Sequence, residues 1–225
     1  MKIKIINKNM DFETIYDDAW KKNESQILAK HHYLALGLFD GGTILDFGCS
    51  DGLFLKLIKE KSGIGRGVDI SPFIVKKAKE NGLDVEFGDV TKPLNFPNNS
   101  FDYVSALNIL EHLFEPELFI SEMRRVSRKY IIITTPNFAS LPTRLQVLKG
   151  KVPENNTPRK HHVVWVTWKV LNEMLKRNNL KLIKASNNTF WEEKPLIGLI
   201  TKQLVKIWPS LFALSFTVKA EKFKI

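Results

Sequence analysis

The sequence predicts an α/β protein in which helices pack on both faces of a mainly parallel sheet. From about residue 43 onward, short apolar runs alternate with longer segments of helical spacing, which is typical of strand and helix units on such a sheet. Of the 225 residues, 44% are hydrophobic and 26% charged, a composition that excludes disorder and collagen. The length suits one large domain over residues 1–225, because a chain of this size buries most of its unfolded surface.

Seven strands are expected in this sheet. Five lie at residues 43–47, 67–70, 85–87, 103–106 and 130–135, and two more at residues 180–186 and 214–219. Helices are expected at residues 53–61, 73–81, 116–127 and 168–178. Pro72 and Pro116 stand near helix starts, where a missing N–H costs nothing, and Thr167 can cap the last of these helices.

Two further segments are expected to flank the sheet. Residues 27–39 look helical and belong to an N-terminal helical cap over about residues 10–40, with His31 and His32 on the helix surface. Residues 137–166 contain three prolines and a polar run, so much of this segment is expected to be loop. A loop of this length is usually functional or mobile, and we expect it on the substrate side of the domain.

The cysteine content and the apolar segments indicate the compartment. Cys49 is the single cysteine, so the chain forms neither an internal disulfide nor a cysteine-based zinc cluster. Residues 1–8 are too polar for a signal peptide. The most apolar late stretch, residues 195–218, is interrupted by Lys202, Lys206 and Pro209 and fails the test for a membrane-spanning helix. We therefore expect a cytoplasmic protein.

The net charge of +10 is unevenly distributed along the chain. Residues 1–140 hold 18 basic and 19 acidic side chains, a net charge of −1, whereas residues 141–225 hold 16 and 5, a net charge of +11. A field of one sign attracts an anionic partner, such as a phosphorylated substrate, a nucleic acid or an anionic lipid surface. The alternative is a solvated lysine face that only improves solubility.

The strongest motif is a strand, a turn of small residues and a helix over residues 44–55. Gly48 and Gly52 let the backbone come close to a ligand, and the helix that follows presents free N–H groups. Asp69 closes the next strand, where an acidic side chain can accept both hydroxyls of a ribose. A nicotinamide dehydrogenase is disfavoured, because Leu53 would crowd the helix packing that its glycine fingerprint requires.

Several motifs follow one another in order over residues 43–136, and together they resemble the class I S-adenosylmethionine-dependent methyltransferases. The resemblance is greatest to the branch that includes the ubiquinone-biosynthesis O-methyltransferases. The motifs are the acidic, glycine-rich loop at 46–52, the acids Asp69 and Asp89, the strand opening at 100–104, the leucine-glutamate-histidine run at 107–113 and the strand exit at 134–137. Ser50 departs from the pattern by replacing the middle glycine of the loop.

The resemblance implies a Rossmann-like, seven-stranded, mostly parallel sheet with an antiparallel last strand. It also implies S-adenosyl-L-methionine as the cofactor, with S-adenosyl-L-homocysteine as the product. The implied cofactor-binding residues are Asp46, Gly48, Ser50, Gly52, Asp69, Ile70, Asp89, Val90 and Leu107. In this interpretation Asp46 orients the loop or the cofactor's amino group, Asp89 accepts from the adenine amine, and Leu107 lies beside the methionine moiety. The alternative is a turn acceptor at Asp46 and ordinary core packing for the apolar side chains.

An oxygen acceptor is favoured by elimination. Cys49 lies in the cofactor loop, so the cysteine-nucleophile route of RNA cytosine methylation is closed. Residues 106–109 lack the proline pair typical of enzymes that methylate amino groups on bases. His112, His161 and His162 are candidate general bases, because a histidine takes up a proton near neutrality, although a histidine in such a position is more often a structural hydrogen-bonding residue than a base. No histidine and carboxylate spacing suggests a metal site.

The basic last third suggests an anionic acceptor, either a small molecule or one linked to a lipid or glycan. Residues 141–151 and 198–208 mix apolar side chains with Lys or Arg, as interfacial helices do, which is compatible with peripheral association with an anionic membrane. For residues 198–208 we favour an ordinary amphipathic helix that covers the sheet. The rival functions are an RNA methyltransferase, disfavoured because no basic and aromatic alternation is present, and a non-catalytic scaffold that binds the cofactor. The oligomeric state stays open.

Overall fold

The computed structural model describes residues 12–23, 27–153, 157 and 161–223, and these residues form one mixed sheet surrounded by helices. The strands are β1 (Thr43–Phe47), β2 (Ile64–Asp69), β3 (Val85–Phe87), β4 (Phe101–Leu107), β5 (Ser127–Pro136), β6 (Leu180–Ala185), β7 (Asn188–Thr189) and β8 (Ala213–Lys222). Their order in the sheet is β3-β2-β1-β4-β5-β8-β6, and β7 pairs with β8. Strands β1 to β5 are parallel, and β8 runs antiparallel to β5 and β6. The expected α/β fold with an antiparallel last strand is confirmed.

The helices connect these strands and precede the first of them. They are α1 (Phe12–Asn23), α2 (Lys30–Leu36), α3 (Leu53–Glu60), α4 (Pro72–Glu80), α5 (Pro116–Val126), α6 (Leu141–Leu148), α7 (Trp168–Arg177), α8 (Pro195–Ile207) and α9 (Pro209–Phe212). A short 3-10 helix spans Leu110–His112 after β4. None of the helices among the described residues is long and apolar enough to cross a membrane.

The predicted sheet differs from the observed one in one strand. Strand β7 is only two residues long, and its register on β8 is irregular, so no alternating pattern marks it in the sequence. It raises the number of strands from the expected seven to eight.

The segment expected to be mostly loop contains a helix. Helix α6 begins after Ser140, whose hydroxyl accepts a hydrogen bond from the backbone N–H of Thr143, and Pro142 lies in its first turn. Both signals are present in the sequence. A proline in the first turn is compatible with a helix, so the proline content of this segment did not exclude one.

The sheet brings distant parts of the chain to one edge. Strands β1, β2 and β4 are neighbours and parallel, so their carboxyl ends at Phe47, Asp69 and Leu107 lie side by side. The middle of the sheet is buried, because Ile44 and Leu45 of β1 and Ile131 to Ile133 of β5 are at most 1% exposed. In open α/β sheets, ligands bind in the crevice outside the carboxyl ends of the strands, and the loops that follow β1, β2 and β4 form that crevice here.

Candidate functional site

A cavity of about 860 Å³ lies at this edge of the sheet. Nine of the predicted site residues line it: Asp46, Gly48, Ser50, Asp69, Ile70, Asp89, Val90, Leu107 and His112. Gly52, His161 and His162 are not among the lining residues. Residues that are separated by up to 66 positions in the sequence therefore share one cavity, whose size suits a nucleoside-containing ligand.

The loop after β1 favours glycine at two positions, first through its backbone conformation and second through the space around it. Gly48 (φ 68°) and Gly52 (φ 80°) both have left-handed backbone conformations. A Cβ atom on Gly48 would lie 2.2 Å from Cδ1 of Ile109, a residue that also lines the cavity. A Cβ atom on Gly52 would lie 2.2 Å from Cδ1 of Leu83, on the protein side of the loop. Gly48 therefore keeps the cavity open, whereas Gly52 allows α3 to begin close to Leu83.

Ser50, the departure from the glycine-rich pattern, has a left-handed backbone with φ of 56°. Its backbone N–H donates to Oδ2 of Asp69 at 2.8 Å. Its hydroxyl is buried and has no hydrogen-bond partner within the described part of the chain. A buried hydroxyl without a partner is costly, and a polar ligand in the cavity would supply one.

Asp69 ends β2 with a buried carboxylate that is held in a fixed orientation. Besides the bond from Ser50, its Oδ1 accepts a hydrogen bond from the backbone N–H of Ser71 at 3.0 Å. Burial raises the pKa of Asp69, and these backbone hydrogen bonds act against that rise. Because each carboxylate oxygen can accept more than one hydrogen bond, Asp69 can still bind the two hydroxyls of a vicinal diol.

Asp46 is the most deeply buried acid among the described residues that line the cavity, with 2% of its surface exposed. Burial raises its pKa to about 7, although the hydroxyl of Ser105 donates to it at 2.6 Å. A carboxyl group with this pKa changes its charge near neutrality. A cationic group bound in the cavity would favour its ionised form.

The carboxylate of Asp89 is held by its own loop. Its Oδ1 accepts from the backbone N–H of Thr91 at 2.9 Å and from the Thr91 hydroxyl at 2.6 Å, and Oδ2 lies 3.0 Å from Nζ of Lys92. Partial burial raises the pKa of Asp89, but the Thr91 hydrogen bonds and Lys92 outweigh burial, so the pKa is lowered. Ile70 and Val90 line the cavity with it and supply apolar surface for a flat ring.

The three predicted base candidates come together, but only His112 reaches the cavity. Nδ1 of His112 lies 3.3 Å from the carbonyl oxygen of His161. A carbonyl only accepts, so Nδ1 carries the proton and Nε2 keeps its lone pair. Burial, reinforced by the neighbouring His162 ring at 4.8 Å, lowers the pKa of His112 to about 4. His112 is therefore neutral at physiological pH.

Sequence reasoning did not assign a role to Glu111, which is buried behind His112. Burial raises its pKa to about 7. Its Oε2 accepts from the hydroxyl of Thr135 at 3.1 Å, whereas its Oε1 has no hydrogen-bond partner among the described residues. Ligand atoms of Glu111, His112 and His162 lie within 4.8 Å of one another, so this group could hold a metal ion. The expectation of no metal stays a prediction.

The N-terminal helices contribute cavity residues that the sequence did not reveal. Tyr16 and Trp20 of α1 line the cavity, as do His31 and His32 of α2. The expectation that both histidines lie on the helix surface is wrong, because His32 is only 5% exposed and His31 is partly buried. Burial lowers the pKa of both histidines, that of His31 to about 4.

The charge of the lining is predominantly acidic. Among the described residues, those that carry charge in the lining are the acids Asp46, Asp69, Asp89, Glu115 and Glu122 and one cation, Lys92. Within the described part of the chain, no residue after Glu122 lines the cavity. The basic residues that the structure describes in the last third therefore lie outside the lining, and the cavity itself suits a ligand that carries positive charge.

Comparison with known proteins places these features in a family. Residues 29–182 match the family described as "Methionine biosynthesis protein MetW". The chain is similar to phosphatidylethanolamine N-methyltransferase of Cereibacter sphaeroides, 32% identical over 40% of this chain and 47% of that protein. It is also similar to norajmaline N-methyltransferase of Rauvolfia serpentina, 31% identical over 55% of this chain and 39% of that protein. The chain thus spans less than half the length of these two curated relatives.

Solved structures share the fold over nearly the whole chain. Magnesium protoporphyrin IX methyltransferase from Synechocystis PCC 6803 with bound S-adenosylhomocysteine superposes with a TM-score of 0.65, at 15% identity, over 94% of this chain and 96% of that one. An S-adenosylmethionine-dependent methyltransferase from Archaeoglobus fulgidus superposes with a TM-score of 0.60, at 20% identity, over 94% and 100%. The chain therefore has the fold of S-adenosylmethionine-dependent methyltransferases.

Proposed function

We propose that this chain, which belongs to the MetW family, is an S-adenosylmethionine-dependent methyltransferase that methylates an oxygen of a small or lipid- or glycan-linked acceptor. The observation that carries the proposal is the shared cavity. It combines the Asp69 carboxylate, the Ser50 hydroxyl, which has no hydrogen-bond partner among the described residues, and a neutral histidine at His112. The fold and the curated methyltransferase relatives support the same activity.

The residues present fit the cofactor. Asp69 would hold the ribose hydroxyls, and the Ser50 hydroxyl would gain its missing partner from the cofactor's carboxylate. Asp89, Ile70 and Val90 would surround the adenine, with Asp89 as the acceptor for its exocyclic amine. When bound, S-adenosylmethionine supplies a methyl group on a positively charged sulfur, and the acidic lining of the cavity is electrostatically matched to that charge.

Methyl transfer from a sulfonium is an in-line displacement, so correct positioning of the acceptor supplies much of the acceleration. With the cofactor bound, the acceptor oxygen would have to face its methyl group, and the hydroxyl proton would need an acceptor. His112 is placed to take that proton, because its Nε2 has the free lone pair. Tyr16 and Trp20 of α1 line the cavity and would limit access of water.

The resemblance to ubiquinone-biosynthesis O-methyltransferases supports an oxygen acceptor, whereas the names of two curated relatives specify nitrogen. An RNA acceptor is less favoured, because none of the basic residues that the structure describes in the last third lines the cavity. The acceptor's own negative charge would then be recognised at the cavity mouth or on the surface.

Calorimetric titration with S-adenosylmethionine and S-adenosylhomocysteine tests the cofactor assignment. Micromolar binding by the wild type is expected, and the absence of binding by folded protein would overturn the proposal. Mass spectrometry of hydroxyl- and amine-bearing acceptors incubated with the protein then identifies the methylated atom. Products formed only on amines would retain the methyltransferase and reject the oxygen acceptor.

The role of His112 is tested separately on an active acceptor. His112→Ala is expected to lower kcat by about 100-fold, and added imidazole is expected to restore part of it. Wild-type activity should be unchanged by a chelator. Inactivation by the chelator and recovery with a divalent cation would instead assign His112, with Glu111 and His162, to a metal site.

A further inference from the structure

Helix α8 exposes its large apolar side chains to solvent and packs against the protein through smaller residues. The outward positions recur at helical spacing, and the apolar side chains among them are between 57% and 82% exposed. These side chains are Leu196, Leu199, Ile200 and Ile207. The expected amphipathic helix is present and contacts β7 of the sheet, but these apolar side chains face solvent. Its buried residues are instead Gly198, Thr201 and Val205.

The packed face is fixed by contacts that a rotated helix would lose. A Cβ atom on Gly198 would lie 2.7 Å from the backbone oxygen of Glu192, so this position has no room for a larger residue. The hydroxyl of Thr201 donates to the backbone oxygen of Phe190 at 3.1 Å. The apolar side of α8 is therefore held outward by the preceding loop.

The exposed apolar side has the flanks of an interfacial helix. Trp191 and Trp208 stand before and after α8, and both are more than half exposed. Lys194, Lys202 and Lys206 are exposed along the same segment, and α8 itself contains no acidic residue. Tryptophan and lysine are the residue types that anchor a helix at the headgroup region of an anionic bilayer.

We propose that α8, with Trp191 and Trp208, binds this protein to the surface of an anionic lipid bilayer. The exposed side chains supply the apolar area that enters the acyl boundary, and the lysines supply charge complementarity to the headgroups. A second copy of the chain is a poorer occupant, because the three lysines would face three others. The 13-residue helix lies in the plane of the surface and does not span the bilayer.

The proposed membrane face is linked to the cavity. Glu192, which precedes α8, forms an ion pair with Lys30 at the start of α2. His31 and His32, the next residues of α2, line the cavity. Membrane binding would thus hold this wall of the cavity near the lipid surface. This inference concerns the surface and does not depend on the proposed methyl transfer.

Flotation with vesicles tests the proposal. Wild-type protein is mixed with vesicles of phosphatidylcholine alone or of phosphatidylcholine with phosphatidylglycerol. Strong binding is expected only to the anionic vesicles. The double substitution Leu199→Gln and Ile200→Gln should weaken it by about 100-fold. Lys202→Gln with Lys206→Gln should weaken it by about 25-fold, since each lysine near such a surface strengthens binding about fivefold.

Ile64→Gln is the matched control, because Ile64 is 71% exposed on β2 and lies away from α8. It should leave vesicle binding unchanged. Circular dichroism and unfolding temperature should be wild type in every variant, which separates lost binding from lost folding. Absence of binding to anionic vesicles, or equal binding by the α8 variants, would overturn the proposal. A wild-type dimer that the α8 variants convert to monomer would overturn it in favour of a second copy.

Discussion

Oδ2 of Asp69 accepts a hydrogen bond of 2.8 Å from the backbone N–H of Ser50, so the end of β2 fixes the conformation of the loop after β1. The same carboxylate also accepts from the N–H of Ser71, at the start of α4. One side chain therefore orders two loops of the cavity. Asp69 supports the glycine-rich loop, and in the proposed function its remaining lone pairs would also bind the ribose.

Asp69→Ala is expected to weaken binding of S-adenosylhomocysteine by about 10- to 100-fold, since hydrogen bonds to a charged group are removed and the Ser50 N–H loses its acceptor. Isothermal titration calorimetry measures the change. The control is Asp84→Ala, because the Asp84 side chain is 68% exposed and outside the cavity lining. Equal affinities for wild type and Asp69→Ala would reject the assigned ribose site.

Gly48→Ala is expected to weaken cofactor binding beyond what its loss of folding stability would explain. The new Cβ atom would meet Cδ1 of Ile109 and push that side chain within the cavity lining. Gly82→Ala is the matched control, because Gly82 has a similar φ of 72° and nothing lies within 4 Å of its Cβ position. Both variants carry the left-handed strain of about 1 to 2 kcal/mol, measured by denaturant unfolding. An unchanged affinity in Gly48→Ala would show that Ile109 has room to move.

The buried carboxyl of Asp46 gives a pH dependence with a definite sign. Its pKa is raised from 3.8 to about 7 by burial, so between these values the folded state keeps a proton that the unfolded state has lost. The contribution of Asp46 to the free energy of unfolding therefore falls as pH rises through this window, by at most about 1.4 kcal/mol per pH unit. Above pH 7 it no longer changes.

His31 and His112, whose pKa values burial lowers to about 4, contribute with the opposite sign, so the test compares variants. Between pH 5 and pH 7, the unfolding free energy of the wild type should fall relative to that of Asp46→Asn. Denaturant unfolding at several pH values measures it. A difference independent of pH would mean that Asp46 is ionised throughout that range in the folded protein.

Lys219 on β8 is a buried cation that stabilises the sheet. Its ammonium lies 4.0 Å from the ring centroid of Tyr130 and 4.9 Å from that of Tyr103, and it donates to the Tyr103 hydroxyl at 3.0 Å. Lys219→Met keeps a side chain of similar length but removes the ammonium group and its contacts. We expect the free energy of unfolding to fall by about 1 to 3 kcal/mol.

The ion-pair partner of Lys219 provides the comparison. The side chain of Asp40 is 70% exposed, so Asp40→Ala should cost less than about 1 kcal/mol. Chemical denaturation of both variants at neutral pH measures the two losses. Equal losses would assign the stabilisation to the ion pair and not to the aromatic rings.

The sequence alone determined the fold class and most of the cofactor side of the cavity. The turn that contains Gly48 and Ser50 is encoded by adjacent residues, and Asp69 and Asp89 mark the ends of successive strands. Parallel strands align their carboxyl ends, so spacing along the chain was sufficient to predict that these residues meet. The reason for glycine at position 52 could not be predicted in this way. Only the folded structure shows that a side chain at this position would meet Leu83, and not a ligand in the cavity.

Tertiary structure decided the remaining features. Glu111 and His162 are 51 positions apart in the sequence, and only the fold brings their ligand atoms within 4.8 Å of each other. Burial of His32 depends on where α2 docks. The apolar pattern of α8 predicts an amphipathic helix but not its orientation, because burial depends on which neighbour the helix meets. In α8, the backbone at Gly198 packs closely against the preceding loop. This contact fixes the orientation of the helix and leaves its apolar face exposed to solvent.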